Sequence, residues 1–158
     1  MKRRHPSRRM AVLPLVAAAL LLVVATRTNA QLSPADEERL KKLDAGPKTI
    51  DVSKYPADQQ KAYKLFSEKC ASCHGVARGV NTDMVLPGEW ERYVKRMMFK
   101  PNSGITSEEG KTLYRFLVFD AAARKADVVR KKLLELPAEE RATTLEKIKT
   151  INPGFTTP

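Results

Sequence analysis

Cysteine and histidine are nearly absent: the 158 residues include two of each, Cys70, Cys73, His5 and His74. Two cysteines cannot build a four-cysteine zinc site or a framework of several disulfides. His5 lies in a leader-like segment, so a mature chain has one imidazole, and any Ser-His-Asp or Cys-His catalytic site would have to use His74. The sequence contains no glycine-rich phosphate loop and no carboxylate pair placed for acid–base work. Long apolar runs are missing too. The longest, residues 11–25, is fifteen residues with Pro14 inside it, short of the roughly 20 needed to cross a bilayer. Nor does any stretch alternate apolar and polar residues as a half-buried strand does.

The first thirty residues have three parts: the basic cluster Lys2, Arg3, Arg4, Arg8 and Arg9, the apolar run, and the small-residue exit Thr28-Asn29-Ala30. This is the pattern of a secretory signal peptide, expected to be cleaved after Ala30, with the product exported to the periplasm. No cysteine near that point allows a lipid anchor. The leader holds six of the 29 basic residues and none of the 18 acidic ones, leaving 23 against 18 and a net charge of +5 on residues 31–158. Most of the formal +11 is therefore leader charge, and nucleic-acid binding loses both its electrostatic footprint and its compartment.

Behind the leader, residues 31–56 read as an N-terminal arm with turn-prone Pro34, Gly46-Pro47 and Pro56 and a short amphipathic stretch at 37–43. Ala62, Leu65, Phe66 and Lys69 fall at helical spacing over 57–69, with Gly75 expected as the left-handed residue that stops the helix. Residues 75–88, rich in glycine and proline, read as a loop of about a dozen residues. Trp90, Val94, Met97 and Met98 mark a second helix, which Pro101-Asn102-Ser103-Gly104 ends. Thr106-Ser-Glu-Glu109 is a capping box opening a third helix, with Leu113, Phe116, Leu117 and Asp120 on one face. Val128, Val129, Leu133 and Leu134, then Pro137 and residues 138–149, give a C-terminal helical extension. The expected fold is all-α, with a domain at 57–125 and an extension at 126–158.

Cys70-Ala-Ser-Cys73-His74 is the attachment pattern of a c-type haem. Two thiols separated by two residues reach the two vinyl groups of one porphyrin edge, and the adjacent His74 is placed beneath the iron as proximal ligand. In so short a chain the haem would itself form much of the core. A redox-active or disulfide-forming cysteine pair would use the same residues, but it normally sits in a strand-rich βαβ setting that this sequence lacks. Zinc would need further ligands that no second cluster supplies.

With this motif, residues 57–120 resemble a single-haem class I c-type cytochrome, a likeness covering about 65 of 158 residues. A narrower similarity runs from Trp90-Glu-Arg-Tyr-Val-Lys-Arg-Met97 through Pro101 to the 105–117 helix. It resembles short periplasmic cytochromes in which a methionine after the haem loop approaches the iron from the far side. Bis-histidine ligation is excluded by count, leaving methionine, lysine, water or an open position. The methionine candidates are Met84, Met97 and Met98. On a 3.6-residue period Met97 lies about 20° from Trp90 and Met98 about 80° away on the other side, so a helix aims only one of them at the iron. The resemblance favours Met97, with Met98 as its alternative.

The expected function is one-electron transfer by one covalent haem c, as a free carrier or as the haem subunit of a larger dehydrogenase or oxidase. Its partners would be redox proteins, some membrane-associated, with no small-molecule substrate and no enzymatic activity of its own. A five-coordinate haem binding a small gas or peroxide, as sensor or weak peroxidase, is the alternative. A non-haem exported binding protein with a Cys70–Cys73 disulfide is a third. Arg92, Lys95, Arg96 and Lys100 read either as a docking patch for an acidic partner or as a solvated face shared with Glu89 and Glu91. Arg130-Lys-Lys132 reads as a membrane or partner contact or as a solubilising run.

Overall fold

The computed structural model describes residues 32–72 and 74–157, so residues 1–31, where the signal peptide is expected, Cys73 and Pro158 lie outside the described residues. Among these residues the chain is all-helical: α1 (Pro34–Ala45), α2 (Ala57–Ala71), α3 (Ala77–Asn81), α4 (Pro87–Met98), α5 (Ser107–Arg124), α6 (Ala126–Glu135) and α7 (Ala138–Ile151). Contacts divide the chain into two compact units, residues 1–36 and 37–158. In the described part of the first, Ser33 caps the start of α1, accepting from the Asp36 backbone N–H at 3.1 Å and donating its hydroxyl to the Asp36 carboxylate at 2.7 Å.

The second unit is built around α5, which packs against α2, α4, α6 and α7. The helix opens as its sequence requires. Thr106 Oγ1 accepts from the Glu109 N–H at 3.2 Å, and Glu109 Oε2 accepts from the Thr106 N–H at 2.8 Å, so two of the orphan donors at the helix start are satisfied. Burial, however, extends beyond one face. Leu113, Phe116 and Leu117 are joined inside by Val118, Ala121 and Ala122, because α6 and α7 fold back and cover the far side. Val129, Leu133, Ile148 and Phe155 come from that extension into the same core. The boundary drawn on the sequence after residue 125 falls where α5 and α6 are separated by the single residue Lys125.

The segment read as an open loop contains the one-turn helix α3, which lies against α2. A Cβ on Gly79 would sit 2.9 Å from Phe66 Cζ, so this glycine serves close packing of α3 on the Phe66 ring. Gly75 is not left-handed. The positive backbone angles among the described residues are at Asn102 and Gly104, after α4, and α2 runs out through Ser72 in right-handed geometry.

Three cations from the end of α5 through α6 hold the end of α3 and the chain that follows it. Arg124 Nη2 donates to the Val80 carbonyl at 3.3 Å, Lys125 Nζ to Thr82 O at 2.5 Å and Lys132 Nζ to Asp83 O at 2.8 Å. Lys132 also pairs with Glu89 at 2.7 Å, and the other oxygen of that carboxylate accepts from the Val85 and Leu86 N–H groups, both at 2.8 Å. Glu89 is therefore an N-terminal brace of α4 and not part of a solvated face. Arg130 pairs with Asp127, donates to Thr156 O and lies over the Phe155 ring. Arg130 and Lys132 thus act in the fold, which accounts for two cations of the 130–132 run. Asp120 is buried between Tyr55 Oη, which donates to it at 2.9 Å, and the Arg124 guanidinium at 2.6–2.7 Å.

Burial pushes the Lys125 ammonium down to about 8, and Arg124 pushes the same way against Asp120 and Asp83. Between that value and the roughly 10.4 of an unfolded lysine, the unfolded state binds more protons, so stability rises with pH. Wild-type stability should gain on Lys125→Met as pH is raised from about 8 toward 10, measured by urea unfolding at each pH. A pH-independent difference would show that the ammonium is not desolvated.

Candidate functional site

α2 leads into the Cys70-Ala-Ser-Cys73-His74 sequence. Phe66 anchors the helix in the core, and Cys70 follows one turn later, half-buried and packed against the same cluster. Ser72 Oγ donates to the Lys69 carbonyl at 2.7 Å, closing the helix end. Cys73 is outside the described residues. His74 is half-buried beside α4.

The imidazole has a partner at each nitrogen. Nδ1 lies 3.0 Å from the Gly75 carbonyl, and Nε2 lies 3.3 Å from Tyr93 Oη. A carbonyl only accepts, so Nδ1 carries the proton. In the neutral ring Nε2 is then the lone-pair nitrogen, placed to accept from the tyrosine hydroxyl. His74 is thus held as the tautomer whose Nε2 can act as a metal ligand.

The Tyr93 ring is buried, and its hydroxyl meets the one histidine of the described residues. Its pKa is pushed up to about 12, first by burial and then by the nearby Cys70 sulfur. The Trp90 ring stands edge-on to it at 5.8 Å, and the Arg96 guanidinium covers it at 5.5 Å from the ring centroid. Asp44 and Arg78 form a two-pronged pair beside this group, at 3.1 and 2.5 Å. The hydrogen bond from Arg78, with a lesser attraction to the same guanidinium, holds the Asp44 carboxyl below the usual range against its own desolvation. α1 is tied here as well, by an Arg39–Asp83 ion pair and by Asn81 Nδ2 donating to Leu43 O at 2.9 Å.

The three methionines part company. Met97 lies one turn beyond Tyr93 on the Trp90 stripe of α4 and is half-buried against the core. Met98 faces α5: a Cβ on Gly110 would fall 2.5 Å from its sulfur, and its side chain floors a groove of about 320 Å³ with Val94, Gly110 and Tyr114. Met84 is half-buried in the connection between α3 and α4, its N–H donating to Thr82 Oγ1 at 3.3 Å. The Tyr93–His74 hydrogen bond joins the end of this Cys-x-x-Cys-His sequence to α4. Arg92, Lys95, Arg96 and Lys100 are all exposed, and Lys95 pairs with Glu91 at 2.7 Å.

Among the described residues no helix is long and apolar enough to cross a membrane, and no three His, Cys, Asp or Glu side chains are grouped to hold a metal ion. No protein-family model, curated protein or solved structure matches the chain.

Proposed function

We propose that this chain carries one covalently attached haem c and serves as a one-electron carrier, alone or as the haem subunit of a periplasmic redox complex. The observation that carries the reading is the setting of His74: next to a Cys-x-x-Cys sequence, the one imidazole of residues 31–158 is held through Nδ1 at the Gly75 carbonyl, with Nε2 turned toward Tyr93 of α4. Cys70 and Cys73 would hold the group through thioethers and His74 would ligate its iron, with Met97 as the distal ligand. The donor set fits: two thiols, an imidazole and a thioether are the side chains such a centre uses.

When bound, the haem iron supplies reversible one-electron exchange. The chain's own residues do the rest. The lone pair of Nε2 serves one role at a time, so Tyr93 holds it in the haem-free chain and yields it on loading. Phe66, Trp90 and Phe116, each no more than 2% exposed, keep water from the site. Met97 is favoured over Met98 because the Met98 sulfur is packed on Gly110, toward α5 and away from the Tyr93 stripe.

Spectra of the periplasmically matured protein, oxidised and reduced, with carbon monoxide added to the reduced form, test the reading. The wild type should be low-spin and indifferent to carbon monoxide. Met97→Ala should lose the weak far-red band of methionine-ligated ferric haem and take up carbon monoxide, while Met98→Ala should keep the wild-type spectrum. Carbon monoxide uptake by the wild type would instead make a five-coordinate haem that binds a small gas or peroxide the function.

A further inference from the structure

We propose that Met98 is a reversible oxidation site, which takes one oxygen from a peroxide entering the groove between α4 and α5, and that its sulfoxide loosens the two helices. The proposal goes beyond the haem reading and does not depend on it, because Met98 packs on α5 and away from the Tyr93 stripe.

The sulfur sits in a notch that α5 leaves for it. Gly110, in the first turn of that helix, is buried and has no side chain, and Met98 fills the space: a Cβ there would fall 2.5 Å from Sδ and 3.2 Å from Cε. The thioether is thus the contact that seats the end of α4 on the start of α5. The same side chain is open to small molecules. Met98 is half-buried and lines the groove of about 320 Å³ with Val94, Gly110 and Tyr114, a space far larger than a peroxide. Lys95 and Lys111, which also line it, pair with Glu91 and Glu108 at 2.7 Å each, so a neutral oxidant meets balanced charge.

A thioether is soft and polarizable, and its oxidation to sulfoxide is reversible by reductases. The sulfur lone pair attacks one oxygen of hydrogen peroxide, and the O–O bond breaks. The proton left on the transferred oxygen goes to the departing hydroxide, giving sulfoxide and water; the sulfur loses the two electrons that the peroxide gains. The product does not fit where the thioether did. On the Gly110 side there is no room for another atom, and the Gly110 N–H is already bonded to the Thr106 carbonyl at 2.8 Å. The new oxygen therefore turns into the groove, where Ser107, Tyr114 and the two lysines carry donors, and the sulfur leaves the notch. α4 also bears Tyr93 and Met97, so the helix that loosens is the one that faces His74.

The matured wild type would be treated with hydrogen peroxide, quenched with catalase, mapped by peptide mass at Met84, Met97 and Met98, and unfolded in urea. The expected result is an added oxygen at Met98 and a urea midpoint that falls in step with its occupancy, both reversed by methionine sulfoxide reductases acting on the two epimers. Met98→Leu, which stays apolar but lacks the sulfur, should hold its midpoint through the same treatment. Met98→Gln, polar as the sulfoxide is, should show a lowered midpoint before any peroxide is added. Met98 left as a thioether while Met84 or Met97 is oxidised would overturn the proposal. A sulfoxide at Met98 with an unmoved midpoint, or an equal fall in Met98→Leu, would overturn it too. Pyridine haemochrome counted on the same samples reports the haem reading separately, and neither result decides the other.

Discussion

With serine in place of both Cys70 and Cys73, the chain expressed and exported in a cell that matures c-type haem proteins should carry no haem that survives denaturation. The wild type should carry one per chain. The effect is all-or-none because these are the only two cysteines of 158 residues, so no other thiol can take over the attachment. Haem-dependent peroxidase staining of a denaturing gel and the intact mass give the answer together. The wild-type mass should exceed that of the cleaved polypeptide by one haem. A wild type lighter by two hydrogens, with no stain, would mean that the cysteines close a disulfide and that the chain is a helical binding protein. His74→Ala separates ligation from attachment. It removes the only imidazole of residues 31–158, so haem that is still attached should be high-spin and open to added imidazole.

Much of this arrangement was legible from the order of residues, and the parts that were not have a common cause. α2, α4 and α5 follow from apolar positions at 3.6-residue spacing and from the Thr106–Glu109 capping box, all local signals. The burial of α5 beyond one face was not legible, because the partners of Val118, Ala121 and Ala122 come from α6 and α7, which lie later in the chain. Asp120 looked like the polar end of an amphipathic stripe. It is buried because Tyr55, 65 residues earlier, donates to it. Likewise Lys132 finds Glu89, 43 residues away, so one cation of a run that read as a membrane or partner contact or as a solubilising stretch holds the start of α4 in place. At the site, His74 was readable from its neighbours Cys70 and Cys73, whereas Tyr93 was hidden among the core aromatics of α4. Its spacing from Trp90 placed it on the buried side, but only the fold brings its hydroxyl across 19 residues to the imidazole. Gly79 carried a turn signal, and its actual use is contact with Phe66, which no local pattern announces.

Phe116→Ala should cost about 3–5 kcal/mol of unfolding free energy, the range for deleting a buried phenyl ring and leaving a cavity. Phe116 is 1% exposed and sits at the centre of an aromatic layer, with ring centroids 5.4 Å from Phe66 and 5.7 Å from Tyr63. Domains of this size are stable by about 5–15 kcal/mol, so the variant should melt roughly 10–20 °C below the wild type. Phe99→Ala is the internal control. That ring is 85% exposed at the end of α4, and its loss should change stability by no more than about 0.5 kcal/mol. Urea unfolding of the two variants beside the wild type measures both, and equal effects would mean that the layer is not the core of this unit. The cavity should also be felt at the site, because Phe66, which packs on Phe116, precedes Cys70 by one turn of α2. The double variant Phe66→Ala/Phe116→Ala should therefore cost less than the two single losses added together, since the second ring leaves a layer already opened by the first.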